Sequence, residues 1–208
     1  MSNRNVMLGM AGVLMLAACS KPQAIDPALQ YAADRAAIED LQARYLFGLD
    51  FRDAELYANT FTENGVLDYG AGKLEGRQAI HDMVKGLVER AAAAPPPADG
   101  ARPATNRHNI SNVTITVNGD KATSVSYWFN FGNSDDRSEA QLNSYGHYED
   151  ELEKVDGKWL FTLRKIYNEQ VDEWAIEPGR NPLTTPGTGP QQRVPPSQAG
   201  AAPATTAN

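Results

Sequence analysis

The chain has 208 residues, 26 acidic against 19 basic side chains, a formal net charge of -7 and one cysteine. That length suits one domain with a terminal extension rather than several domains. An acidic chain without a basic stripe is a poor partner for nucleic acid or anionic lipid head groups, and a lone cysteine excludes an intramolecular disulfide and a thiolate metal site.

The first stretch carries Arg4 as its only charge, followed by thirteen apolar or glycine residues from Val6 to Ala18. This run is too short for a stop-transfer helix. It ends in Leu16-Ala17-Ala18-Cys19, which resembles the lipobox of bacterial lipoproteins. The resemblance implies cleavage after residue 18, lipid on the Cys19 thiol and attachment to an envelope membrane. Ser20 resembles the outer-membrane sorting pattern, implying the periplasmic face of the outer membrane. An ordinary cleaved secretion signal that happens to contain a cysteine is the alternative. Loss of Arg4 with the signal takes the net charge from -7 to -8. The chain then divides into a signal peptide (1–18), a tether (19–25), a domain (26–176) and a tail (177–208). From Pro178 onward there are seven prolines in 31 residues, with Leu183 and Val194 the only large apolar side chains, so the tail is expected to be disordered.

Asp26-Pro27 places an N-cap before a proline at the first helical position, and Ile38, Leu41, Tyr45 and Gly48 follow at helical spacing. This predicts a long first helix. Asp53 caps a second, short helix through Phe61, ended by Asn64-Gly65, and Val66 to Tyr69 reads as a strand. Ile80, Met83, Val84 and Leu87 predict a third helix over Arg77 to Ala94. Beyond residue 106 the period becomes alternating. Val113, Ile115 and Val117 lead into the turn Asn118-Gly119-Asp120; Val125, Tyr127, Phe129 and Phe131 continue the hairpin; Ser144 to Leu152 and Trp159 to Tyr167 flank the turn Asp156-Gly157. The expected class is α+β, with a curved antiparallel sheet wrapped around three N-terminal helices.

Ile38 to Asp53, Phe61 to Gly70, Gly76 to Ile80, Arg107-His108 with Ile110 to Asp120, and Tyr148 to Arg164 together resemble the SnoaL-like branch of the nuclear transport factor 2-like superfamily, over roughly residues 28 to 170. The resemblance implies a cone-shaped fold with a pocket between helices and sheet, a dehydratase or isomerase activity without metal or organic cofactor, and a homodimer formed through the outer face of the sheet. Its dehydratase-like members carry a Tyr on the first helix, an Asp five residues on and a His entering the first long strand. Here those positions are Tyr45, Asp50 and His108.

A neutral imidazole is suited to taking a proton near neutral pH, and a carboxylate on its other nitrogen fixes the tautomer and stabilises the imidazolium. Asp50 and His108 fit that couple, and the Tyr45 hydroxyl fits the stabilisation of an enolate. Five residues rotate about 140° along an ideal helix, so the site requires the first helix to end or loosen near Gly48. A core tyrosine, a cap and a strand-end histidine are the alternative readings of the same three residues. Phe61, Trp128, Phe131 and Tyr148 are candidates to line an apolar cavity around a small ligand. His147 is expected on the outer face of the sheet, His81 in solvent, and Asp150 with Arg164 as a cross-strand pair. No zinc-protease, nucleophile-elbow or phosphate-loop motif occurs. Two functions follow: a lipid-anchored lyase or isomerase for a small hydroxy-carbonyl or cyclic compound, and a non-catalytic envelope lipoprotein that binds such a compound.

Overall fold

A computed structural model describes residues 25–95, 105–133, 140–187 and 189, without the Glu173 side chain. The signal, Cys19 and most of the tether lie outside the described residues, as do the Pro-rich loop 96–104 and the chain beyond residue 189. Helix α1 (Pro27–Asp50) starts at the Asp26 cap, whose side chain accepts from the Ala28 N–H. Helix α2 (Ala54–Ala58) is capped by Asp53. Strands β1 (Phe61–Tyr69) and β2 (Gly72–Glu75) precede helix α3 (Arg77–Ala93), and four long strands follow: β3 (Asn106–Asn118), β4 (Lys121–Asn133), β5 (Ala140–Val155) and β6 (Lys158–Asn168). A 3-10 turn, Asp172–Trp174, comes last. The chain is thus helices followed by a curled, unclosed sheet of the α+β class.

The sheet order is β2-β1-β6-β5-β4-β3. It is mixed rather than wholly antiparallel, because β1 runs parallel to β6 with Leu67 opposite Arg164. The expected short strand begins earlier, at Phe61 rather than Val66. Phe61 does not extend α2; it pairs with Phe161, and the register shifts between Phe61 and Val66. Gly65 sits in that irregularity, where an added Cβ would lie 2.9 Å from the Phe161 carbonyl oxygen, so the glycine permits the close approach of β6 instead of ending the run.

One face of α1 is buried through Asp34, Ile38, Leu41, Gln42, Tyr45, Leu46 and Gly48, a spacing of three and four residues that follows the helical period. It packs into the concave side of the sheet together with Ile80 and Val84 of α3. On β4 the buried inward side chains are Ala122, Ser124, Ser126, Trp128 and Asn130. The more apolar alternates point outward, leaving Tyr127 and Phe131 about half exposed beside Leu142 and Tyr145 of β5. Phe131 therefore does not share the inner cavity with the Trp128 side chain: three residues apart on one strand, the two side chains point to opposite faces.

Gly146 to Asp150 are buried without interruption, which requires both faces of β5 to be covered. The outer cover is the segment after β6. Arg180 reaches the carboxylates of Glu149 and Glu177, each at 2.5 Å; the Gly187 N–H donates to Glu149; Lys165 donates to the Gly187 carbonyl; and the Gly189 N–H donates to the Tyr167 hydroxyl. The expectation of a disordered tail from residue 177 thus differs from what is found for residues 177–187. Their docking uses charged and backbone hydrogen bonds, which a count of apolar residues does not register. His147 lies on this outer face as expected, but buried, stacked on Tyr167 at 4.4 Å and hydrogen-bonded to Glu169 at 3.0 Å.

Burial alone would raise the Glu149 pKa, but bonds from His147, the Gly187 N–H and Arg180 hold it below the usual carboxylate range. Its contribution to stability is therefore complete above an ordinary glutamate value of about 4.3 and disappears as pH falls through the depressed one. Arg180→Ala is expected to lower unfolding stability at pH 7 by about 1.5–3 kcal/mol, the range for hydrogen bonds to charged groups. The difference from wild type should shrink in acid once Glu149 is protonated. Unfolding curves at both pH values check this, and an unchanged midpoint at pH 7 contradicts it.

Candidate active site

Helix α1 does not loosen at Gly48 but ends two residues later, at Asp50, the first of the two expected alternatives. Gly48 serves packing instead: a Cβ there would approach the Tyr57 backbone to 2.8 Å, so the glycine lets α2 lie against α1. The divergence of Tyr45 and Asp50 is resolved by position. Tyr45 points into the cone from the middle of the buried face, whereas Asp50, at the helix terminus, reaches sideways to β3.

Asp50 grips His108 twice. One carboxylate oxygen accepts from the His108 backbone N–H at 2.9 Å, and the other meets Nδ1 at 2.5 Å. A carboxylate only accepts, so Nδ1 carries a proton, and in the neutral ring Nε2 then presents the lone pair. Asn130, directly opposite His108 in the β3–β4 register, places Nδ2 3.2 Å from Nε2. Its own Oδ1 is buried without a hydrogen-bond partner among the described residues. The Asp50 and His108 side chains are only 6% and 16% exposed, which strengthens their interaction by excluding water.

Tyr45 is fully buried and shares a 2.7 Å hydroxyl–hydroxyl bond with Tyr57. Whichever hydroxyl donates in that bond, one proton is left for a ligand. Burial pushes the pKa of Tyr45 up, and those of Tyr57 and Tyr148 further, with the nearby Arg164 cation acting against the rise. All three hydroxyls therefore stay protonated at neutral pH and remain donors. Arg164 lies beneath them, fully buried, 4.1 Å from the Tyr45 ring, 4.2 Å from Tyr148 and 4.0 Å from Phe161. It is the expected partner of Asp150, held by two bonds of 2.8 Å.

These groups open onto a cavity of about 470 Å3 between the helices and the sheet. Tyr45, Tyr57 and His108 supply its polar atoms on one side, Trp128 and Tyr148 its aromatic wall, and Leu49, Leu67, Met83, Leu87 and Ile166 much of the rest. Of the seven predicted catalytic and ligand-binding residues, Tyr45, His108, Trp128 and Tyr148 line this space, with Asp50 behind His108. Phe61 does not line it. That ring is packed in the core between Tyr45, Tyr57 and Phe161 at centroid distances of 6.0, 6.1 and 5.4 Å. Phe131 is on the outer surface. His81 is on the third helix, its Nδ1 3.1 Å from the neighbouring Asp82. Sequence reasoning missed Tyr57 and Asn130. Asn130 was accessible through parity, two residues from Trp128; Tyr57 was visible only as an apolar residue of α2. Among the described residues no three His, Cys, Asp or Glu side chains converge to hold a metal ion.

The SnoaL-like domain profile matches residues 30–165. The chain belongs to the SnoaL-like family. Solved structures place this SnoaL-like chain in the nuclear transport factor 2-like, cystatin-like fold: a Novosphingobium aromaticivorans protein so described is 25% identical, with a TM-score of 0.56, over 74% of this chain and 88% of that one. A second protein of that organism, named as a candidate scytalone dehydratase, shares 23% identity at a TM-score of 0.56 over 74% of this chain and 99% of that one. A Catenulispora acidiphila protein solved in complex with S-DNPA shares 25% identity at a TM-score of 0.55, over 67% and 96%. No curated protein matches the chain.

Arg164→Met leaves the buried Asp150 carboxylate without its cation and is expected to cost about 3–5 kcal/mol of stability. Adding Asp150→Leu should recover part of the loss. Chemical unfolding of the two variants checks this, and a single-variant loss below about 1 kcal/mol would show that the pair carries little of the fold.

Proposed function

We propose that this SnoaL-like protein is a cofactor-free lyase or isomerase, a dehydratase in the first instance, for a small, mostly apolar hydroxy-carbonyl or cyclic compound. The observation that carries the reading is an Asp50-oriented His108 lone pair sharing an apolar cavity with the Tyr45 hydroxyl. In the proposed step, His108 Nε2 takes the proton α to a carbonyl, and the electron pair moves to the carbonyl oxygen, where Tyr45 donates a hydrogen bond. Collapse of the enolate re-forms the carbonyl, makes the α,β double bond and expels the β hydroxyl, which leaves as water with the proton returned from Nε2. Return of the proton to a different carbon gives isomerisation instead. Asn130 must leave Nε2 for either reaction, and turning its amide over would offer the unpartnered Oδ1 to the protonated ring.

The small-molecule complex of the Catenulispora protein supports ligand binding in this fold. The Asn130 contact on Nε2 favours the second reading, a binding lipoprotein in which His108 is held rather than freed. The two separate on a panel of cyclic β-hydroxy ketones assayed by mass spectrometry for loss of water. His108→Ala should reduce turnover by about a hundredfold to ten-thousandfold, the span of general base catalysis, and Tyr45→Phe and Asp50→Asn should lower it with little change in melting temperature. If the residues act as a unit, Asp50→Asn with His108→Ala should be scarcely worse than His108→Ala alone. Wild-type turnover in all three single variants would sink the assignment.

We further propose that Cys19 is lipidated and holds the domain on the periplasmic face of the outer membrane. Support comes from the lipobox-like sequence and from an acidic domain with little attraction of its own for anionic lipid. Cys19→Ser should abolish fractionation with membranes and lipid labelling; a wild type released with Cys19 unmodified defeats the proposal. Sedimentation of the unlipidated variant also reads whether two copies pair through Tyr127, Phe131, Leu142 and Tyr145, an exposed apolar group on the outer face. A monomer mass at micromolar concentration excludes such a dimer.

A further inference from the structure

Helix α3 presents Met83, Leu87 and Arg90 to the cavity between helices and sheet, and these positions follow the stripe of one helical face. The first two are apolar wall. The third ends the stripe in the last turn of the helix and is exposed to solvent. Its side chain is laid back along the helix rather than away from it: Nη1 lies 3.2 Å from where a Cβ on Gly86, one turn earlier, would stand. Tyr69, another lining residue, feels the cation. Burial pushes the Tyr69 pKa up, and the charge of Arg90 works against the rise. The guanidinium therefore stands at the rim, bordering the cavity and open to solvent.

The charge there is left over. Arg35, Arg44, Arg77 and Arg180 each hold a carboxylate, whereas Arg90 holds none among the described residues. The helix dipole favours a cation in a last turn, which accounts for the charge but leaves the N–H fork of the guanidinium unused. Of the residues that line the cavity, Arg90 is the only one with a permanent charge, and most of the others are apolar or aromatic. It is also far from the base. Helix α3 packs on α2, β1 and β2, whereas His108 is on β3, at the other end of the sheet order.

We propose that Arg90 is a specificity-determining residue, whose guanidinium receives a carboxylate on the end of the ligand remote from His108. The ligand class is thereby narrowed to apolar ring compounds with a carbonyl for Tyr45 and a carboxylate for Arg90, whose planar fork matches the two oxygens. A phosphate would bring more charge than one guanidinium balances, and no second permanent cation lines the cavity among the described residues. The inference deepens the proposed function: it rests on the cavity being the ligand site, and not on any reaction occurring there.

The test compares 6-carboxy-1-tetralone with 6-carbamoyl-1-tetralone, probes of matching shape that differ in charge at neutral pH and carry no β hydroxyl to eliminate. Binding to the full chain is measured by calorimetry. The net charge of -7 disfavours an anion overall, so a preference for the acid reports a local cation. The wild type should bind the acid about threefold to tenfold more tightly, between an exposed ion pair and a sheltered charge-assisted hydrogen bond. That preference should shrink as salt rises from about 50 mM to about 500 mM. Arg90→Gln should bind the two probes within about twofold of each other, with the carboxamide affinity and the melting temperature nearly unchanged. Arg90→Lys, which keeps the charge but loses the fork, should retain part of the preference. A wild type that does not discriminate, or an Arg90→Gln variant that still does, overturns the proposal while the cavity remains a ligand site; binding of neither probe overturns it as well. Because neither probe can be dehydrated, failure of the His108 chemistry leaves this measurement intact.

Discussion

The bidentate pair between Arg164 and Asp150 is the constraint on which the interior depends. A guanidinium with no solvent exposure is tolerable only when its charge and its planar faces are both occupied. Asp150 on the neighbouring strand meets the charge, and the rings of Tyr45, Tyr148 and Phe161 meet the faces. Asp150 in turn accepts from Ser124, whose hydroxyl accepts from Gln42 on α1, so one polar chain runs from the helix through three adjacent strands. Serine at 124 and glutamine at 42 look misplaced in an apolar core until this chain is followed. The relay orients α1, and with it the Tyr45 hydroxyl above the cation.

The His108 end of the cavity is built by different means. There the chain uses a helix terminus: Asp50 is the last residue of α1, free to turn out of the helical face, and its two oxygens take both the backbone and the ring of His108. The imidazole is thereby fixed in tautomer and rotation without contributing to the core. The cation and the carboxylate–imidazole couple also differ in their electrostatic effect. Arg164 restrains the rise in the tyrosine pKa that burial imposes, while Asp50 supplies the negative charge that an imidazolium would require.

Much of this was legible in sequence because it depends on local rules. The Asp26-Pro27 start, the α3 period, the turn at Asn118-Gly119 and the Asp150–Arg164 pairing each follow from one segment or one register. What was missed depends on contacts between distant segments. Phe61 has the right chemistry for a ligand wall, but the parallel pairing of β1 with β6 draws it behind Tyr45. Phe131 has the aromatic content of a ligand wall but the wrong strand parity, three residues from Trp128 and so on the other face. The sequence shows that the helix must end or loosen near Gly48, and it ends at Asp50, but the need for glycine at 48 comes from the approach of Tyr57, a residue on another helix. The docking of residues 177–187 escaped because polar fastening leaves no hydrophobic pattern.

That last case shows how the mouth of the cavity differs from its floor. The floor is set by the buried ion pair and its three rings, where any change in charge or volume is felt throughout the core. The mouth is set by Trp174 on Gly70, carried by a segment whose continuation is held on the outer face by Arg180, Gly187 and Gly189. A change at Trp174 therefore acts first on the shape of the entrance, where the ring meets Gly70 and Tyr69.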